Sequence, residues 1–294
     1  MRLSESDILR RVRRVEIKTR GLSDEIFAGK YHTAFRGRGM SCSEVREYRV
    51  GDDVRDIDWN VSARSEHTHV KVYEEERELT MMLIVDVSAS RMFGSKELTK
   101  KNVITEIAAT LAFSAAKNND KVGCILFSDR VEKFIPPKKG RSHVLTIIRE
   151  LVGFEPTGTA TNISEALRYL VGVNKKRATT FLLSDFINSE GDNPALEDAL
   201  KIASRKHDIM AIRVYDERDA VLPNVGIMEL CDSESGRREW VDTSSRRVRD
   251  FWAESYKERH QRVTSLLRQN RVDVADIATD DDYVIKLIKM FKNR

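Results

Sequence analysis

The chain has 294 residues, enough for one large domain or one domain with a smaller partner, and its 40% hydrophobic and 33% charged residues describe a globular protein with a heavily charged surface. A net charge of +4 is too mild to mark a dedicated nucleic-acid binder, whose charge gathers in a patch. No apolar run approaches the ~20 residues needed to cross a bilayer, and the opening MRLSESDILRRVRR lacks the apolar centre of a signal peptide, so a cytoplasmic location is expected, with any membrane association arising through partners.

Taken in chain order, residues 8–21 predict an amphipathic helix. Ile8, Val12 and Val15 share one side, Arg10, Arg11, Arg13 and Arg14 form a solvated face, and Gly21 closes it. The chain then stays polar and arginine-rich to about residue 80. From there a regular alternation begins. Residues 81–87 (MMLIVDV) read as a buried strand, residues 97–118 as a helix, residues 121–128 as a second strand, and residues 130–135 as an edge strand ended by Pro136 and Pro137. Helices follow at 142–151 and 163–171, a strand at 179–185, a helix at 193–205 and a strand at 208–215. Residues 216–242 break the rhythm and suggest a small hairpin through Gly236, before a long helix at 243–270, a strand at 272–277 and a last helix at 281–291. Alternating strands and helices mean βαβ units on a mostly parallel, Rossmann-like sheet. The expected organisation is a charged N-terminal region, 1–78, and an α/β domain, 79–294, with an insertion at about 216–242.

Such a sheet binds ligands beyond the carboxyl ends of its strands. Just past the first strand stands Asp86-Val87-Ser88-Ala89-Ser90, which places a carboxylate and two hydroxyls at alternate positions of an extended turn. Mg²⁺ and similar hard cations (Mn²⁺, Ca²⁺) take oxygen ligands and keep several waters. A set with little negative charge leaves such a cation able to accept an acidic group from another molecule. Thr161 precedes a helix, and Asp185 ends the strand TTFLLSD, so both can meet Asp86 at one sheet edge.

Asp86, Ser88, Ser90, Thr161 and Asp185 together resemble the metal-ion-dependent adhesion site (MIDAS) of von Willebrand A domains. The resemblance implies that Asp86, both serines and Thr161 approach the metal, that Asp185 acts directly or through water, and that a partner's acidic residue completes the shell. The family's Gly-Gly-Thr is here Thr159-Ala160-Thr161, so Thr159 remains an alternative to Thr161. Residues 44–64 (EVREYRVGDDVRDIDWNVSAR), 70–78, 222–244 and the final DDYVIKLIKMFKNR also resemble the bacterial domain of unknown function 58 family. That resemblance implies a partnership with a MoxR-type AAA+ ATPase in assembling, maturing or remodelling an unknown client protein.

The N-terminal signature mixes charges of both signs around aromatic side chains: Arg46, Glu47, Tyr48, Arg49, Asp52, Asp53, Arg55, Asp56, Asp58, Trp59 and Arg64. An ion-paired layer anchored by Trp59 is one reading. A partner face made of Tyr48, Asp52, Asp53, Arg55, Asp58, Trp59 and Arg64 is the other, since tyrosine, tryptophan and arginine dominate interface hot spots. His67-Thr68-His69 has no third ligand nearby, so no metal is expected there. Cys42, Cys124 and Cys231 lack zinc spacing and are expected as reduced thiols.

An enzyme is not expected. The chain has no phosphate-binding loop, no dinucleotide fingerprint (Gly37-Arg38-Gly39 follows no strand) and no nucleophile elbow. A Mg²⁺-dependent hydrolase or phosphotransferase is the rival class. Such enzymes commonly place a second acid two residues after the first, where this chain has Ser88, and Lys96, though near in sequence, is a single lysine and no fixed basic group for a phosphoryl transition state. A nucleic-acid or membrane adaptor is the remaining alternative.

Overall fold

The computed structural model describes residues 41–65, 67–74, 79–95, 98–187, 194–232 and 236–292. The arginine cluster and helix expected at 8–21, Gly37 to Gly39, and Lys96 lie outside these residues. The chain divides into two compact units, one spanning 35–79 and the other containing 80–294.

In the smaller unit, β1 (Ser41–Glu47) pairs antiparallel with β2 (His69–Glu74). Between them lie a 3-10 turn, Val54–Asp56, and a short helix α1, Trp59–Ser62. Both are started by aspartates. Asp53 accepts the Arg55 N–H at 2.9 Å, and Asp58 accepts those of Asn60 and Val61 at 3.0 and 3.2 Å. The Arg46 guanidinium grips Asp52 as a fork, at 2.8 and 2.7 Å. That bond, with the Arg49 N–H, holds the Asp52 carboxyl below its usual range. Trp59, by contrast, is 67% exposed.

The larger unit is built on a six-stranded sheet. Its strands are β3 (Thr80–Asp86), β4 (Lys121–Phe127), β5 (Val131–Lys138), β6 (Thr179–Ser184), β7 (Asp208–Tyr215) and β10 (Asp273–Ala278). The order across the sheet is β10-β7-β6-β3-β4-β5, parallel except for the last pair. β5 does not stop at the prolines, as its sequence suggested. It runs through Pro136 and Pro137 at a register shift, which an edge strand tolerates because its outer N–H groups have no ladder to join.

The α-helices among the described residues of this unit are, in chain order, α2 (Lys100–Lys117), α3 (Arg141–Gly153), α4 (Ile163–Val173), α5 (Pro194–Lys206), α6 (Glu217–Ala220), α7 (Arg246–Gln269) and α8 (Tyr283–Lys292). The segment between β7 and α7 also carries an antiparallel hairpin, β8 (Ile227–Cys231) with β9 (Arg238–Asp242), turning at Gly236, whose φ is 69°. The alternation of the strands sorts the core into two layers. Met82 and Ile84 of β3 join Ile125, Leu182 and residues of α4, α5 and α7 in one cluster. Helices α2, α3 and α8 cover the opposite face, where Phe181 meets Phe291 edge-on at 6.1 Å. Each large aliphatic side chain buried this way stabilises by about 1.5–3 kcal/mol. Arg213 is the one charged side chain within the apolar run of β7, and it is 3% exposed. It is matched by Asp276, its register partner on β10, at 2.6 Å.

Read along the chain, the strand order reverses between β3 and β6. That is the topological switch point, where two crossovers leave in opposite directions and open a crevice at the strands' carboxyl ends.

Candidate metal centre

Asp86 ends β3 at this switch point and is 1% exposed. Its Oδ1 accepts the Ser88 N–H at 2.9 Å, and its Oδ2 accepts the Ser184 hydroxyl, from the end of β6, at 2.6 Å. The Ser88 bond bends the chain within two residues of the strand. The extended turn expected here is therefore a 3-10 helix, Ala89–Met92, closed by the Phe93 N–H on the Ser90 carbonyl at 3.2 Å. Ser90 lies inside that turn and Ser88 just before it. Their hydroxyls still converge, 3.1 Å apart and buried.

Asp185 follows β6 and is also buried. Its Oδ1 accepts the Ile187 N–H at 3.2 Å and its Oδ2 accepts the Lys100 ammonium at 2.9 Å. Phe186 beside it has φ 55°, a left-handed conformation that costs a non-glycine residue about 1 kcal/mol or more. The turn is held by the Phe186 N–H on Ser184 Oγ at 3.0 Å.

Thr161 is half-buried, one residue before Asn162, whose side chain caps α4. Thr159 has an exposed side chain, and its carbonyl takes the Ala89 N–H at 3.2 Å, tying this loop to the serine turn. Glu132, on β5, fixes the loop from below. It accepts Ser128 Oγ, the N–H groups of Thr157 and Gly158, and Thr157 Oγ1, all within 2.9 Å. Burial pushes its carboxyl up, but these hydrogen bonds, Gly158 first, outweigh that and hold it below its usual range.

Electrostatics fit a cation. Burial first, and the charge of Asp185 second, push the Asp86 carboxyl up to about 6 despite its hydrogen bonds. Two buried carboxylates that repel each other, with two hydroxyls beside them, are an all-oxygen donor set suited to a hard divalent ion. Arg91 is buried next to them with Nε unpartnered and one amino group on the Phe154 carbonyl at 2.9 Å; burial lowers its pKa to about 10 while Asp86 acts the other way. Sequence reasoning missed Arg91, Lys100 and Glu132, and placed Ser184 beside Asp185 at the strand end without giving it a role. Among the described residues, no group of three or more His, Cys, Asp and Glu side chains could hold a metal ion, and this candidate centre has only two acids, so it depends on its hydroxyls.

A family model described as "Protein of unknown function DUF58" matches residues 44–262. The chain belongs to the DUF58 family. This DUF58 chain is 29% identical over 287 residues to uncharacterized proteins of Mycobacterium tuberculosis and Mycobacterium bovis, covering 96% of this chain and 88% of each of them. Solved structures similar to it include the conserved hypothetical protein BatB from Bacteroides thetaiotaomicron, at 12% identity and TM-score 0.48 over 73% of this chain and 98% of that one. A von Willebrand factor type A protein from Catenulispora acidiphila is similar at 15% identity and TM-score 0.36, over 68% of this chain and 44% of that one. Among the described residues of the DUF58 chain, no helix is long and apolar enough to cross a membrane.

The N-terminal residues singled out for partner binding are on the same small unit. Tyr48, Asp53, Arg55, Trp59 and Arg64 are exposed, Asp52 is half-buried, and Asp58 is buried and committed to capping α1. His69 Nδ1 lies 2.8 Å from the His67 carbonyl oxygen. Cys124 is buried, which pushes its thiol pKa up, and Cys231 is exposed; both are free.

Proposed function

We propose that this chain is a metal-ion-dependent protein-interaction module of von Willebrand A type, acting as an adaptor with a MoxR-type AAA+ ATPase in the assembly or maturation of client proteins. The observation that carries the reading is the convergence of Asp86, Ser88, Ser90 and Asp185 at the switch point of the parallel sheet, with Ser184 orienting Asp86. Mg²⁺ or Mn²⁺ is the ion such oxygens suit, with Thr161 as the further hydroxyl.

A bound divalent ion supplies a coordination position that takes a partner's carboxylate. The protein's own groups do the rest. Asp86 and the two hydroxyls hold the ion at the sheet edge, and the Ser128–Glu132–Gly158 hydrogen bonds keep the threonine loop in register with the serine turn. The exposed Tyr48, Trp59 and Arg64 offer a second contact surface on the small unit. The family resemblance of residues 44–64 and 222–244 supports the ATPase partnership.

The test is thermal unfolding of wild type and Asp86→Ala in EDTA and in millimolar Mg²⁺ or Mn²⁺. An ion at 100 times its Kd stabilises by about 2.7 kcal/mol, so wild type alone is expected to shift. A wild-type chain that melts identically in both, or an Asp86→Ala chain that shifts equally, would refute the reading. A pull-down of the ATPase, lost in EDTA and in Asp86→Ala, tests the partner.

A further inference from the structure

Lys100 opens α2 and is 1% exposed, so its charged side chain is enclosed along its whole length. A buried ammonium is tolerated only when paired. Its Nζ lies 2.9 Å from Asp185 Oδ2 and 2.9 Å from Asp219 Oδ2. Asp219 belongs to α6, in the segment inserted after β7. Its Oδ2 also accepts the Asp216 N–H at 2.9 Å, and its carbonyl accepts Trp252 Nε1, from α7, at 3.0 Å. Asp216 in turn receives the Ser95 N–H at 2.9 Å and the Thr279 hydroxyl at 3.0 Å. Lys100 is therefore held from two sides, by a candidate metal ligand and by an element anchored independently of that ligand.

We propose that Lys100 is a positioning residue that holds Asp185 in place and, as an internal cation, weakens the centre's own hold on a divalent ion. This inference rests on the metal-dependent reading above. A fixed positive charge on Asp185 Oδ2 competes with any dication for that oxygen and repels it through space. The group is enclosed, so salt screens little of this effect. Asp219 is the counterweight. By sharing the ammonium it moderates how much of that charge reaches Asp185, so α6 sets the strength of the centre without touching it.

The two acids on either side of Lys100 give a test with opposite signs. Mn²⁺ binding is measured by calorimetric titration of the full chain as wild type, as Asp86→Ala, as Lys100→Met with Asp219→Asn, and as Asp219→Asn alone, with unfolding in EDTA recorded for each. The double variant removes the cation together with the acid it would strand, and is expected to bind Mn²⁺ on the order of tenfold more tightly. Asp219→Asn leaves the whole ammonium to Asp185 and is expected to bind several-fold more weakly, about half a decade. A purely structural Lys100 would weaken both, and unchanged or weakened binding in the double variant overturns the inference. If that variant fails to fold, Asp219→Asn decides alone: binding equal to or tighter than wild type overturns it. Wild-type binding that Asp86→Ala abolishes, with no effect of either Lys100-network variant, overturns the tuning role and leaves the metal reading standing. No Mn²⁺ binding in any variant overturns both.

Discussion

Glu132 holds Gly158 across 26 residues of sequence, accepting its backbone N–H at 2.7 Å. The same carboxylate takes both donors of Thr157 and the hydroxyl of Ser128, so one side chain on the edge strand organises the loop that carries Thr159 and Thr161. Glu132→Ala leaves those donors without their charged acceptor. We expect a loss of about 1–3 kcal/mol in urea unfolding, a smaller loss for Glu132→Gln, and a reduced metal-induced shift in melting temperature for both. An unaltered stability in Glu132→Ala would show that water replaces the carboxylate at no cost.

Gly158 has its own constraint. A Cβ there would overlap the Asp129 carboxylate and the Ser128 hydroxyl. Asp129 is partly exposed and free to swing away, but Ser128 is buried and bonded to Glu132. Gly158→Ala is therefore expected to break the Ser128–Glu132 bond and destabilise by about 1–3 kcal/mol. Combining it with Glu132→Ala should cost less than the sum of the two, which a double-mutant cycle reads directly.

His207 predicts acid sensitivity. It is 1% exposed, its Nδ1 accepts the Ala178 N–H at 3.3 Å and its Nε2 is unpartnered. Burial, with the charges of Lys206 and Arg177, pushes its pKa down to about 4 from an ordinary 6.5. The unfolded chain therefore binds the proton first. The associated stability is fully present above pH 6.5 and is lost as pH falls toward 4, by about 3 kcal/mol in all. His207→Leu should flatten that part of the pH profile in denaturant titrations, although the whole curve will sit lower because Ala178 loses its acceptor. A profile of wild-type slope in this variant would show that other groups carry the effect.

Asp216 is fully buried and caps α6 while accepting from Ser95 and Thr279. Asp216→Ala leaves several donors from three segments unsatisfied, and a loss of about 2–4 kcal/mol is expected. Asp216→Asn should recover part of it. Amide hydrogen exchange should show faster opening at Ser95 and Arg218 in the alanine variant, and unchanged exchange there would contradict the anchoring role.

The central strands of the larger unit were legible because they are short apolar runs with both faces covered, as at residues 81–86 and 179–184. The positions of Asp86 and Asp185 followed from those strands alone, since a parallel sheet delivers strand ends to one edge. The groups that tune the site were harder to read. Lys100 falls on the apolar stripe of α2, three and four residues before Val103 and Ile104, and a lysine on such a stripe is the signal that it is buried and paired. Glu132 carries no such mark: nothing in the pattern of an edge strand shows that its one acid will meet a loop 25 residues later. The 3-10 turn at Ser90 was missed because alternate spacing was taken as extended backbone, whereas the Asp86 side chain bends the chain. For Trp59 the sequence left an anchor and an exposed contact ring both open, since an aromatic flanked by charges has the same pattern in either role, and the ring is exposed.

The paired prolines of β5 have a consequence for how copies of this protein meet. A sheet margin with free N–H groups is a template for another chain, and such growth has no natural end. Pro136 and Pro137 carry no N–H on either side of the strand, so the margin loses a donor there, and the pairing slips in register beside them. A neighbour arriving sideways on that margin finds no ladder to continue. The protein is thereby steered away from open-ended stacking through β5.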